Sequence, residues 1–262
     1  MITVNNLHHS YGAKPVLKNV TTQFPEHQIT SLIGPNGAGK STLLMSIGRL
    51  LNIQQGEVLL KGTAIHNIPL KDYAKQVATM RQFNSLNLRL TVRELVAFGR
   101  FPYSRGTLTK ADHCAIDEAL SFLALQSLAN AFIDELSGGQ RQMAFLAMAI
   151  AQQTDYLLLD EPLNNLDMKH AVSIMRALRH LCDDFKRTVV LVVHDINFAA
   201  NYSDYIVGMK QGAVHCEGPV EEVVTAQRLK ALYELDLEVL KTSQGTVCNY
   251  FNFNFNLQGE YK

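Results

Sequence analysis

The 262-residue sequence has no tryptophan, only four cysteines and seven prolines, and no net charge, since 24 Lys and Arg balance 24 Asp and Glu. The cysteines, at 114, 182, 216 and 248, form no C-x-x-C pair and no compact zinc pattern. Neither a disulfide framework nor a structural zinc site is expected, and a reduced, intracellular chain fits best. Charge balance removes the global field that would draw a whole chain onto phosphate backbones, so no nucleic-acid partner is expected. No apolar run reaches the roughly 18 residues a membrane-spanning helix requires. The start, Met1 to Gly12, alternates Ile2, Val4 and Leu7 with polar residues and lacks the positive-then-apolar layout of a secretory signal. Any membrane association is expected to come through a partner.

What is present is an ordinary globular composition, 47% hydrophobic with 16 glycines, long enough for one large domain or a core carrying an inserted subdomain. Strand-like runs occur at Ile2–Leu7, Gln28–Ile33, Glu57–Leu60, Val77–Met80, Tyr156–Asp160, Thr188–His194, Tyr205–Met209 and Ala213–Cys216. Helix-like periodicity fills Lys40–Leu51, Val92–Arg100, Lys110–Leu125, Gly139–Gln152, Asp167–Cys182 and Ile196–Tyr202. Fully apolar strands alternating with helices predict an α/β fold whose mostly parallel sheet is covered on both faces, with an antiparallel β edge. Between Gln82 and Leu136 only helical patterns appear, which predicts a helical insertion. After Gly218 the chain reads as an appendix of a Pro219-started helix, a short helix around Gln227–Leu235 and two tail strands. The segment Tyr250–Leu257 alternates Phe251, Phe253 and Phe255 with asparagines, the period of an edge strand with its rings on one face.

Chemistry enters directly after the apolar run Ile29–Ile33. Gly34-Pro35-Asn36-Gly37-Ala38-Gly39-Lys40-Ser41-Thr42 satisfies G-x-x-x-x-G-K-[ST] between a strand and a helix. Its glycines let backbone N–H groups turn inward around phosphate oxygens, and the following helix points its positive end at them. Lys40 is expected to reach the β/γ-phosphates of a nucleotide and Ser41 to ligate Mg²⁺. A second strand ends in Asp160-Glu161, placing two acids at the sheet's carboxyl edge, where open α/β sheets bind ligands. Asp160 suits the metal shell and Glu161 a general base for water. A third segment, Leu136-Ser137-Gly138-Gly139-Gln140, opens a helix with a glycine pair, another end suited to an anion.

With that segment the sequence resembles the ATP-binding-cassette ATPases, whose LSGGQ signature, phosphate loop, Asp-Glu strand end and downstream histidine stand here in the family's order. The resemblance covers nearly the whole chain and weakens after about Gly218. It implies an adenine-stacking role for Tyr11, a contact of Gln82 with Mg²⁺ or water that also senses the membrane partner, a role for Asp167 in communication across a dimer, and a switch role for His194 at the γ-phosphate. It also implies that Ser137, Gly138, Gly139 and Gln140 act on the ATP held by the opposite subunit of a homodimer. In organisation it implies a nucleotide-binding core at 1–82 and 156–218, a helical subdomain at 83–155 and an appendix at 219–262.

Two stretches, Phe98-Gly99-Arg100-Phe101-Pro102-Tyr103-Ser104-Arg105 and Glu161 to His170, look like the iron-siderophore importers. In that group the ATPase sits at the cytoplasmic face of the cell membrane. It docks under two separate permease subunits that receive the ferric chelate from a binding protein. The stretch carrying Arg89, Arg93, Arg100 and Arg105 is where such cassettes meet the permease; the plainer alternative is a solvated basic face. Met143 departs from relatives that carry a basic residue just after the signature. Importers of haem or cobalamin, and single-cassette ATPases without a transport role, remain alternatives. A non-catalytic regulator would have damaged positions among Lys40, Gln82, Asp160, Glu161 and His194, and none is damaged.

Overall fold

The computed structural model describes residues 1–81 and 89–251. In chain order the elements are β1 (Ile2–Tyr11), β2 (Lys14–Phe24), β3 (Ile29–Ile33), α1 (Lys40–Ile47), β4 (Gln55–Leu60), β5 (Thr63–Ala64), α2 (Leu70–Ala74) and β6 (Val77–Met80). Then follow α3 (Val92–Phe98), α4 (Phe101–Ser104), α5 (Lys110–Phe122), α6 (Gly138–Ala151), β7 (Tyr156–Leu159), α7 (Met168–Asp183), β8 (Thr188–Val192) and α8 (Ile196–Tyr202). The chain closes with β9 (Tyr205–Lys210), β10 (Ala213–Pro219), α9 (Val220–Val223), α10 (Ala226–Tyr233), β11 (Glu238–Thr242) and β12 (Gly245–Asn249).

A six-stranded sheet runs in the order β10-β9-β3-β8-β7-β6. It is parallel from β9 to β6, and only the edge strand β10 is antiparallel. This is the α/β architecture the strand and helix alternation predicts. Every residue of β3, β7 and β8 is buried because both faces are covered, which is why these strands read as unbroken apolar runs. On one face, Leu32, Leu158, Val190 and Val192 pack with α1 and with the inner side of a four-stranded antiparallel sheet, β2-β1-β4-β5. On the other, Leu157, Leu159, Val189 and Leu191 pack with α3, α5, α6 and α7. A third cluster joins Ile33 and Ile206 to α8, α9, α10 and Cys248 of β12.

Strands β6 and β7 are sheet neighbours, although α3, α4, α5 and α6 all lie between them in sequence. Parallel order from β9 to β6 puts the carboxyl ends of β3, β6, β7 and β8 on one edge; the glycine loop, Asp160-Glu161 and His194 follow β3, β7 and β8, while Ser137 to Gln140 open α6 instead. Among the tail residues expected to form a strand, Tyr250 and Phe251 lie beyond β12 in no regular element, and 252–257 fall outside the described residues.

Candidate functional site

The turn after β3 is set by glycines at 34, 37 and 39 with φ of 134°, 77° and 100°. At Gly34 a Cβ would stand 2.0 Å from the Met209 carbonyl oxygen, so no other residue fits the close approach of this turn to β9. Gly39 precedes α1, and the loop is fastened from behind: Ala38 O accepts from Gly212 N–H at 3.1 Å, and Gly212 O accepts from Lys18 N–H at 2.8 Å. Lys40, first residue of α1, is buried; its Nζ donates back to Gly34 O (2.7 Å) and Pro35 O (3.0 Å). Burial holds its ammonium below the usual lysine range, opposed by the nearby Glu161 and Asp160 carboxylates.

Ser41 Oγ donates to Asp160 Oδ1 at 2.8 Å, which ties the loop to the end of β7. Asp160 is buried, and its carboxyl is raised above the usual range, first by loss of water, with Ser41 working against the shift. Glu161 follows in the left-handed region at φ 52°, a conformation that costs a non-glycine residue roughly 1 kcal/mol or more and turns the chain sharply out of β7. One Glu161 carboxylate oxygen meets His194 Nε2 at 2.7 Å and the other accepts from Asn164 Nδ2. His194 stands two residues past β8, on the same sheet edge. A cleft of about 430 Å³ opens here, walled by the phosphate loop from Asn36 to Thr42, Glu161, His194, and Lys14 and Lys18 of β2.

The structure thus gathers Lys40, Ser41, Thr42, Glu161 and His194, from three separate stretches of sequence, at one cleft, with Asp160 buried behind Ser41. Residues expected to serve the nucleotide of a second copy lie off this cleft. Ser137 caps α6 in a capping box, accepting from Gln140 N–H at 3.3 Å while its own N–H donates to Gln140 Oε1 at 3.0 Å. Asp167 caps α7, accepting from His170 N–H at 2.8 Å and meeting His170 Nδ1 at 2.7 Å; these two contacts pull its carboxyl below the usual range. A Cβ on Gly139 would lie 2.4 Å from the His170 ring, so a glycine is what lets the start of α6 nest against the start of α7. Neither Ser137 to Gln140 nor Asp167 lines the cleft. Tyr11 is half exposed, its ring edge-on to His9 at 4.9 Å between centroids. Gln82 lies outside the described residues.

A family model described as ABC transporter matches residues 17–164, more than half of the chain. The chain belongs to the ABC transporter family. The petrobactin import ATP-binding protein YclP of Bacillus subtilis (strain 168) is 46% identical over 252 residues, spanning 96% of this chain and 100% of that one. The ferric enterobactin transport ATP-binding protein FepC of Escherichia coli (strain K12) is 36% identical over 227 residues, 86% of this chain and 84% of that one. Among solved structures, a dimeric ATP-binding cassette in a post-hydrolysis state with ADP and phosphate matches with a TM-score of 0.73 at 32% identity, covering 84% of this chain and 99% of that one. Like other members of the ABC transporter family, the chain is an ATPase.

Two parts of this ABC ATPase differ from what its sequence suggests. Arg100, expected on a permease-facing surface, is buried: its Nε donates to Asp112 Oδ1 at 2.9 Å, and its Nη1 to Ala151 O at 2.8 Å and Gln153 Oε1 at 3.1 Å. Its guanidinium also lies over the Tyr103 ring, 4.0 Å from the centroid. Arg93 pairs with Asp117 at 2.6 Å and Arg89 stacks over Phe132, while Phe98 and Phe101 remain exposed. Met143 packs against the apolar cluster around α6, which accounts for an apolar side chain at that position.

Proposed function

We propose that this chain is the ATP-hydrolysing subunit of an importer of ferric siderophores, working as a homodimer beneath two permease subunits at the cytoplasmic face of the membrane. Among the described residues no helix is long and apolar enough to cross a membrane, and in this reading the partners supply the membrane passage. A binding protein outside the membrane would deliver the chelate, which need never touch this subunit.

The observation that carries the reading is the convergence on one edge of a lysine, a Ser–Asp pair and a Glu–His pair behind a glycine loop. ATP phosphates would lie against the loop N–H groups and the start of α1, with Lys40 turning from its own carbonyls to the β/γ oxygens. Mg²⁺ fits the Ser41 and Asp160 oxygens: they are hard donors 2.8 Å apart, and a desolvated carboxylate is stabilised by a divalent cation. Gln82 is a further proposed donor. Bound there, the ion would neutralise charge on the bridging phosphate oxygens. Glu161, oriented by His194 and Asn164, would take a proton from the attacking water, and His194 would face the γ-phosphate.

Ser137, Gly138, Gly139, Gln140 and Asp167 are off the cleft of their own chain, which supports their acting on the nucleotide of a second copy. Two sandwiched nucleotides would then hold the dimer shut until hydrolysis removes the bridging phosphate. Glu161→Gln tests this chemistry. Turnover should fall by about 10²–10⁴, the effect of losing a positioned base, while ATP stays bound and dimer accumulates in sizing chromatography. A variant that hydrolyses at the wild-type rate would remove Glu161 from the role. The cargo is tested by copurified membrane subunits: ferric chelates with the matching binding protein should stimulate turnover, whereas stimulation only by haem or cobalamin would replace the siderophore.

A further inference from the structure

The segment after β10 touches the site from behind at two separate points, and neither Tyr233 nor Thr246, which make contacts there, is a candidate site residue in the sequence. First, Tyr233, the last residue of α10, accepts a hydrogen bond from Gly34 N–H at 3.2 Å, where the phosphate loop leaves β3. The end of α10 is itself anchored to β9. Lys210 Nζ donates to Ala231 O at 2.6 Å, satisfying a last-turn carbonyl, and pairs with Glu234 at 2.8 Å. Burial pushes the Tyr233 hydroxyl up to about 12, so it stays protonated and its oxygen is a neutral acceptor at working pH.

Second, β12, paired with β11 in an antiparallel ribbon, is also gripped by the side chains of α8. Asn201 Oδ1 accepts from Thr246 N–H at 2.8 Å while its Nδ2 donates to Thr246 O at 2.7 Å, and Asn197 Oδ1 accepts from Cys248 N–H at 2.7 Å. An asparagine amide presents N–H donors beside a carbonyl acceptor, so Asn201 reproduces the paired bonds of a neighbouring strand while its second N–H donates to Asn197 O at 2.8 Å. The helix so held begins at Ile196, with Asp195 as its cap and His194 just before. Beneath both contacts Leu229, Leu232 and Cys248 share one core with Ile33 and Ile196.

We propose that the C-terminal segment is a positioning device for the hydrolytic site, with Tyr233 fixing the start of the phosphate loop and the grip of β12 on Asn197 and Asn201 fixing His194. This rests on the ATPase chemistry above but assigns work to residues outside it. The two contacts act on different sides of the cleft, so they separate kinetically. The loop side holds phosphates in ground state and transition state alike, and loosening it raises KM alone; the His194 side counts when the γ-phosphate reacts, and loosening it lowers kcat.

The test is steady-state MgATP hydrolysis by the full chain carrying Tyr233→Phe or Asn201→Ala. Tyr233→Phe keeps the ring in its core and deletes only the hydroxyl, and with it the acceptor for Gly34 N–H. It should raise KM about threefold to tenfold, the ratio one neutral hydrogen bond commands, with kcat and melting temperature unchanged. Asn201→Ala should lower kcat by about tenfold with KM unchanged, because both bonds to β12 are lost along with the one to Asn197 O. Wild-type KM for Tyr233→Phe overturns the proposal, and so does a parallel fall of both parameters together with the melting temperature. Equilibrium binding of a fluorescent ATP analogue keeps the two readings apart. If the wild-type chain bound the analogue without turnover, the hydrolytic reading would fail, and undiminished affinity of Tyr233→Phe would separately overturn this one.

Discussion

Arg100 and Asp112 meet at 2.9 Å with side chains 6% and 3% exposed, whereas Lys40 and Asp160, also buried, form no ion pair among the described residues. In the first case the carboxylate accepts from Thr109 N–H and the Thr109 hydroxyl as well as from Arg100, and is drawn down to about 2. In the second, Lys40 spends its protons on loop carbonyls and Asp160 accepts from a serine; burial pushes the lysine down and the carboxyl up, each towards its neutral form. The helical side of the molecule therefore neutralises its buried charges internally and holds α3, α5 and the end of α6 together. The phosphate loop leaves a cation and an anion under-compensated by the protein, the arrangement expected where phosphate and a divalent metal complete the balance.

The largest expected effects set the two sites against each other. Arg100→Ala strands Asp112 and should cost about 3–5 kcal/mol of stability, with turnover per folded molecule unchanged; denaturant unfolding beside specific activity measures both. Lys40→Ala should do the reverse: turnover falls by about 10²–10³, while the melting temperature holds or rises because a poorly solvated charge has gone. An Arg100 variant of wild-type stability, or a Lys40 variant that unfolds easily, would erase the distinction.

Acid should separate the same pair by sign. The Asp112 carboxyl is depressed, so the native state binds its proton more weakly than the unfolded chain; its stabilisation is present above pH of about 4 and is lost as pH falls towards about 2. The Asp160 carboxyl is raised, so over the window above its ordinary value the native state binds the proton more tightly, and this contribution to stability declines as pH rises. Unfolding midpoints should thus fall less steeply below pH of about 4 for Asp112→Asn than for the wild type. Apparent Mg²⁺ affinity should weaken on acidification, as protons compete for Asp160.

The same contrast explains what the sequence disclosed. Motifs at strand ends were legible because a phosphate loop must be local: Gly34 to Thr42 are contiguous, and Asp160-Glu161 follows four apolar residues that can only be a covered strand. Strand β2 was missed because its burial follows no strict alternation. Lys14, Pro15, Lys18 and Asn19 are exposed, and the pairing of β1 with β2 shifts register three times, which breaks the period that pattern reading relies on. Arg100 looked like a surface residue because its partner Asp112 lies a helix away and nothing local marks the pair as shielded. Tyr233 carries no local signal whatever; in the sequence it is one aromatic on an amphipathic helix, and its contact with Gly34 is supplied by the fold.

The smallest effect is the most discriminating, because the chain contains a matched control. Thr109 and Ser137 each cap a helix in a capping box, with hydroxyl oxygens 3.3 Å from the N–H of Asp112 and of Gln140. Replacing either by alanine should cost about 1 kcal/mol of stability, with Thr109→Ala at the upper end because that hydroxyl also donates to Asp112 Oδ2 at 2.7 Å. If capping is all that Ser137 does, Ser137→Ala should retain at least the specific activity of Thr109→Ala. If its hydroxyl also serves the nucleotide of a second copy, only Ser137→Ala should lose turnover, and the loss should persist at temperatures where both variants are fully folded. Equal activities there would leave Ser137 as a helix cap and confine the site to one chain.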